Sequence, residues 1–169
     1  MKATPIYPSG LAATAERPQT QPYLTSRFGL VQIVHDSIIA FPDGLIGLGG
    51  SRYALLSTDA RSPFLWLQSL DHSTVALPIA NPHRFFADFV VELADGEALR
   101  LGLSDGQPAD VYVTVTAAKD PSEITVNLRA PILIRGGHGY QVINQAPGAA
   151  VKTPLFPPGP VGSSAAAAA

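Results

Sequence analysis

The sequence predicts an all-β fold: a compact antiparallel β-barrel-like single domain with one short helix. Three observations predict it. Sixteen prolines and fifteen glycines in 169 residues punctuate the chain too often for long helices, since proline removes a backbone donor and both residues disfavour helix interiors. Short apolar segments recur about every ten residues, the rhythm of successive strands. The connections between them, such as Pro42-Asp43-Gly44, Ala94-Asp95-Gly96 and Ser104-Asp105-Gly106, supply the residues that tight turns require.

In chain order, residues 1–24 hold Pro5, Pro8, Pro18 and Pro22 among small and polar residues. They show no sustained period of 2 or 3.6, so the expectation is a mostly disordered N-terminal arm. The folded domain is expected over 25–155. Within it, candidate strands are 28–34, 37–41, 53–57, 64–69, 74–79 and 88–93, followed by 111–117, 124–128, 130–134 and 140–144. Val111, Val113 and Val115 alternate with Tyr112, Thr114 and Thr116, as in a strand whose successive side chains point to opposite faces. Arg135-Gly136-Gly137-His138-Gly139 is expected to close a hairpin between the last two strands. Only Asp95–Gly102 reads as helix, with Asp95 as N-cap, Glu97 in the first turn and Gly102 as C-cap. Residues 156–169, which end in five alanines, form a low-complexity tail too short to hold a helix by itself.

Composition then bounds function. The formal charge of −2 offers no general basic surface, which argues against direct nucleic-acid binding and against an anionic membrane surface. No apolar run approaches the length of a membrane-spanning helix, and prolines at 5 and 8 interrupt any signal-peptide core, so a cytoplasmic protein is expected. The absence of cysteine removes disulfides, thiolate nucleophiles and Cys-ligated zinc.

Catalytic motifs are not found. His35, His72, His83 and His138 lack metal-ligand spacing. Asp71-His72-Ser73 contains triad residue types, but Ser73 has no Gly-x-Ser-x-Gly context. The glycine-rich stretch Gly44–Arg52 lacks the Gly-Lys-Ser/Thr ending of a phosphate loop and reads as a flexible inter-strand loop. No cofactor is implied. Phe64-Leu65-Trp66-Leu67 and Phe85-Phe86-Ala87-Asp88-Phe89 suit either a strand buried on both faces or an exposed contact patch. Residues 86–126 carry eight acidic side chains against Arg100 and Lys119, a local charge of −6. Such a sector suits either solubility or the steering of a basic partner.

Five segments in order resemble the flagellar assembly factor FliW family. They are Phe41-Pro42-Asp43-Gly44-Leu45-Ile46-Gly47-Leu48, Phe64-Leu65-Trp66-Leu67-Gln68-Ser69 and Asn81-Pro82-His83-Arg84-Phe85-Phe86-Ala87-Asp88-Phe89, then Asn127-Leu128-Arg129-Ala130-Pro131-Ile132-Leu133-Ile134 and Gly139-Tyr140-Gln141-Val142-Ile143. The chain departs from the family pattern at Ile46, where proline is usual, and at Gly47, Gly49 and Gly50. The resemblance implies a β-barrel-like protein without catalytic activity that binds cytoplasmic flagellin and CsrA, the RNA-binding repressor of flagellin translation. It also implies partner switching: flagellin holds the factor until export frees it, and the free factor then sequesters CsrA. The resemblance assigns no contact residues. The expectation from the residues is that Asp88, Glu92, Asp95 and Glu97 face CsrA, while exposed apolar residues at Phe41, Pro42 and Leu45 contact flagellin. The alternative is a small β-barrel ligand-binding domain or enzyme using the His35 and His72 neighbourhoods.

Overall fold

Alternation along the strands sorts the side chains into a barrel interior and separate outer layers, and this sorting determines the architecture. The computed structural model describes residues 2–9 and 19–156. Its strands are β1 (Thr4–Ile6), β2 (Thr20–Thr25), β3 (Gly29–Val34), β4 (Ile39–Ala40), β5 (Arg52–Ser57), β6 (Phe64–Ser69) and β7 (Ala76–Ala80). After the helix α1 (Glu97–Arg100) follow β8 (Asp110–Thr116), β9 (Thr125–Val126), β10 (Ile132–Arg135), β11 (His138–Gln141) and β12 (Thr153–Pro154).

Seven strands close into a barrel in the order β10, β11, β4, β5, β6, β7, β8 and back to β10. All these pairings are antiparallel except the seam between β11 and β4, which is parallel at His138 and Ala40. Strands β9 and β12 extend the sheet beyond β8, and β1 adds to the edge of β5. A separate ribbon, β2–β3, lies over the outside of β5 and β6.

Tyr53 and Leu55 of β5, Leu67 of β6, Ile79 of β7, and Ile132 and Ile134 of β10 fill the interior. Their neighbours along the same strands point outward. Ala54 and Leu56 meet Phe28, Val31 and Ile33 of the ribbon, with Trp66 packed against them. On another side Val113 and Val115 meet Phe89, Val126, Leu128 and Leu155. The run Phe64–Leu67 is therefore divided, with Leu65 and Leu67 inside and Phe64 and Trp66 outside. Core packing accounts for this aromatic cluster.

The fold class is as the sequence predicts, and nine of the ten candidate strands overlap observed ones. Three readings need correction. Residues 1–24 are not an unstructured arm throughout, because β1 and all of β2 but Thr25 fall within them; residues 1 and 10–18 lie outside the described residues. Pro5 and Pro22 hid these strands, yet both sit at sheet edges, where a missing N–H removes no required ladder bond. Residues 88–93 form no strand. Phe89 is buried while Val90 and Glu92 are exposed, so the alternation is real, but the backbone bonds mainly to a side chain rather than to a neighbouring strand. Asn144, fully buried, accepts from the Glu92 N–H at 2.9 Å and donates to the Val90 carbonyl at 2.9 Å. Finally, Phe156, expected in the tail, packs on the domain with its ring 6.0 Å from Phe85; the rest of that tail, residues 157–169, lies outside the described residues.

Two turns follow the sequence closely. Gly136 and Gly137, with φ of 55° and 78°, join β10 to β11 as a two-residue hairpin loop that only residues tolerant of positive φ can form. The helix α1 ends at Gly102, whose φ is 67°. There the Leu103 N–H reaches the Ala98 carbonyl and the Gly102 N–H reaches that of Leu99, the Schellman arrangement. The predicted cap at its other end is displaced: Gly96, not Asp95, is the N-cap, and no side chain caps it.

Candidate partner-binding surface

One end of the barrel is closed by the loop 41–51. Phe41 is fully buried and meets Tyr53 edge-on, with ring centroids 5.0 Å apart. Gly139 lies so close to the Phe41 ring that no Cβ could be added there without displacing it. Leu45 is only 5% exposed and belongs to the same interior cluster. Phe41 and Leu45 are therefore core, and the expected exposed apolar contacts at these two positions are corrected. The barrel needs an end cap, and these are the large apolar side chains that the loop supplies.

The same loop presents different residues outward. Pro42 is exposed, and Ile46 is 62% exposed. Leu45-Ile46-Gly47-Leu48 forms a turn closed by the Leu48 N–H on the Leu45 carbonyl at 3.0 Å, with Gly47 at φ 76°. Ile46 sits at the second position of this turn, where proline is favoured. Here its N–H donates to the Gln141 Oε1 at 2.8 Å, a bond proline could not make. The glycine-rich loop is thus tied down rather than loose, and the Tyr53 hydroxyl adds a bond to the Gly49 carbonyl at 2.9 Å.

The loop and the acidic segment meet through Arg100. Its Nη1 lies 3.0 Å from the Asp43 Oδ2 and its Nη2 lies 3.6 Å from the Glu97 Oε1. Glu97 is therefore partly committed to a neighbour. Asp88, Glu92 and Asp95 are exposed, and their carboxylates have no hydrogen-bond or ion-pair partner among the described residues. Other acidic residues of the sector have been taken up: Asp105 holds Arg135 through two bonds of 2.6 and 2.8 Å, and Asp120 accepts from Ser122. The Arg135 guanidinium keeps the Asp105 carboxyl below the usual carboxylate range, followed by the Gln107 N–H.

The segment bearing the three free carboxylates is held firmly. Besides its bonds to residues 90 and 92, Asn144 donates to the Leu128 carbonyl at 3.3 Å and accepts from the Ala146 N–H at 3.0 Å. The Gln145 N–H adds a bond to the Glu92 carbonyl at 2.8 Å. Sequence reasoning missed Asn144. Its only signal is a polar residue just after an apolar strand, which is common in loops. Beside the segment, Leu99 is 73% exposed and Ile143 41%, and Ile143 borders the same groove as Asp95, Glu97 and Arg100. The surface therefore combines projecting apolar side chains with free carboxylates on fixed backbone.

The histidine neighbourhoods do not assemble a site. His35 pairs with its neighbour Asp36 at 3.6 Å on a short 3-10 turn, whereas His72 packs against Gly49 and Gly50. Asp71 serves a structural fastener instead of a triad. It accepts from the Ser51 N–H at 2.7 Å, the Arg52 N–H at 2.9 Å and the Arg52 Nε at 2.9 Å. Burial pushes its carboxyl up, but these donors together outweigh it and hold the group below the usual range. Among the described residues no three His, Asp or Glu side chains group as metal ligands, and no helix is long and apolar enough to cross a membrane.

Comparison with known proteins agrees with this architecture. Residues 22–155 match the family model described as FliW protein. A flagellar assembly factor FliW of Geobacter sulfurreducens is 36% identical over 110 residues, covering 65% of this chain and 69% of that protein. One from Leptospira biflexa is 34% identical over 125 residues, covering 72% and 82%. A crystal structure of the flagellar assembly factor FliW superimposes with a TM-score of 0.72 at 29% identity, covering 81% of this chain and 98% of the other. A seven-stranded closed barrel, the five ordered segments and a match over nearly the whole described core lead to one assignment: the chain belongs to the FliW family of flagellar assembly factors.

Proposed function

We propose that this chain is a non-enzymatic regulator of flagellar assembly that binds cytoplasmic flagellin and antagonises CsrA, coupling flagellin synthesis to export by partner switching. Family membership supports the reading, and the observation that carries its residue-level form is the trio of unpartnered carboxylates, Asp88, Glu92 and Asp95, on a segment clamped by Asn144. A clamped acidic surface suits a basic partner because its charges are already placed, so little ordering entropy opposes binding. The adjoining exposed residues Pro42, Ile46 and Leu99 suit the apolar part of a flagellin contact. Phe41 and Leu45 support that contact from beneath, by fixing the loop.

Titrating the purified chain separately with flagellin and with CsrA tests the reading. An Ile46→Ala variant should bind flagellin about 3–10-fold more weakly, as expected for truncating one exposed apolar anchor. Full flagellin affinity in that variant would remove the loop from the contact. Failure of the unsubstituted chain to bind either protein would remove the proposed function.

A further inference from the structure

Among the described residues, nothing seals the end of the barrel opposite the loop 41–51. Strand β5 ends there, β6 begins, β7 ends and β8 begins, and a recess of about 510 Å³ occupies the space. Ile6 of β1, Leu65 of β6 and Tyr112 of β8 line it, and all three pack against the interior cluster. The floor is thus the top of the apolar core. The added strand β1 supplies one wall and residues 57–63 another.

Around this floor, Ser and Thr hydroxyls stand beside three donors, on Arg84, Tyr112 and Asn81. Arg84 borders the recess and has no carboxylate within ion-pair distance among the described residues. The Tyr112 hydroxyl makes no hydrogen bond to them. Burial, then the nearby Asp110, pushes that hydroxyl up to about 12, and Arg84 partly offsets the rise. Tyr112 is accordingly a neutral donor at physiological pH; it shares the recess lining with Arg84, while Asp110 nearby accepts from the Ser9 N–H at 2.8 Å. Asn81 spends its Oδ1 on the His83 N–H at 2.9 Å, which leaves its amide nitrogen as a further donor. The acidic lining residue, Asp59, is turned into its own loop, accepting from the Arg61 N–H at 2.9 Å and lying 3.8 Å from the Arg61 Nε.

A guanidinium and a neutral hydroxyl without partners, above an apolar floor at a barrel mouth, match an anionic head on a short apolar body. We propose that the barrel mouth binds a small free carboxylic acid, with its carboxylate on Arg84 and the Tyr112 hydroxyl and its apolar body on Ile6 and Leu65. This site is at the other end of the barrel from the loop 41–51 and uses none of the residues of the proposed partner surface, so it stands independently of that reading.

The test is a titration of the full chain with benzoate and hexanoate, each against its neutral amide, followed by amide chemical shifts in NMR. The acids should saturate at roughly millimolar concentration, as expected for ligands of so few atoms, with shifts centred on Ile6, Ser57, Leu65 and Arg84. The amides should bind at least about 10-fold more weakly, and Arg84→Gln should weaken the acids by about 10-fold, since each loses a charge-assisted bond. Tyr112→Phe should weaken them by about 3-fold or more. Lys119→Gln, which removes an exposed charge beyond the far end of β8, should leave affinity within about 2-fold. Equal binding of acid and amide, indifference to Arg84→Gln, or no saturable shift at the mouth up to about 10 mM would each overturn the proposal.

Discussion

The two ends of this barrel are built from the same strands but closed differently. At one end Phe41 and Leu45 enter the interior and seal it, so the loop that carries them has a fixed outer surface bearing Pro42 and Ile46. At the other end no loop among the described residues inserts a large side chain into the interior, and a recess of about 510 Å³ is left above Leu65 and Tyr112. The contrast teaches that apolar residues in a binding loop can act indirectly. A sealed end presents a shaped surface suited to a macromolecule, whereas an open end offers a cavity of a size suited to a small ligand.

Breaking the seal should produce the largest effect. Phe41→Ala removes a fully buried ring and should cost about 3–5 kcal/mol of stability in urea unfolding, from lost burial and the cavity left behind. Gly139→Ala should cost about 1–3 kcal/mol by overpacking the same ring, and a Phe41→Leu change in the Gly139→Ala background should recover part of that loss. Additive losses in the double variant would show that the two residues do not press on each other.

The next effect lies in the acidic segment. Asn144→Ala should cost about 2–3 kcal/mol, because it orphans backbone groups at Val90, Glu92, Leu128 and Ala146. Hydrogen exchange at the Glu92 amide should accelerate more than at β5 or β6. Uniform acceleration across the barrel would contradict a local clamp.

A smaller effect belongs to the Asp71 fastener. Its carboxyl is lowered in the folded chain, so it contributes stability above the unfolded carboxylate pKa and loses that contribution as pH falls through the lower folded value. Asp71→Asn should therefore cost about 1 kcal/mol at neutral pH and flatten the acid side of the stability profile. An unchanged acid limb would exclude Asp71 from the acid response.

These regions also differ in how legible they are in sequence. Strand β8 follows from strict alternation, and the β10–β11 hairpin from Gly136-Gly137, because each signal is local. The same alternation cannot say which face is interior. Tyr112 points into the barrel while Val113 and Val115 pack beneath an outer layer, a result set by closure of the sheet. Residues 88–93 show the opposite limit, where a strand pattern is present but its main partner is the buried side chain of Asn144, 52 positions from Glu92. Exposure failed similarly at Phe41 and Leu45, since turn chemistry locates a loop but does not reveal which of its residues enter a core. The carboxylates fared better: Asp88, Glu92 and Asp95 are exposed as charged residues ordinarily are, though Glu97 is drawn toward Arg100 by a contact invisible in sequence.

The smallest effect on folding carries the largest consequence for the proposed function. Glu92→Lys with Asp95→Lys should leave stability within about 0.5 kcal/mol, as both side chains are exposed and unpartnered. The most direct measurement is the affinity of this double variant and of the unsubstituted chain for CsrA and for flagellin, each at low and at physiological salt. CsrA binding should weaken by about 10-fold or more, most strongly at low salt, with flagellin binding retained. Unchanged CsrA affinity at low salt in a folded variant would contradict the proposed role of these carboxylates.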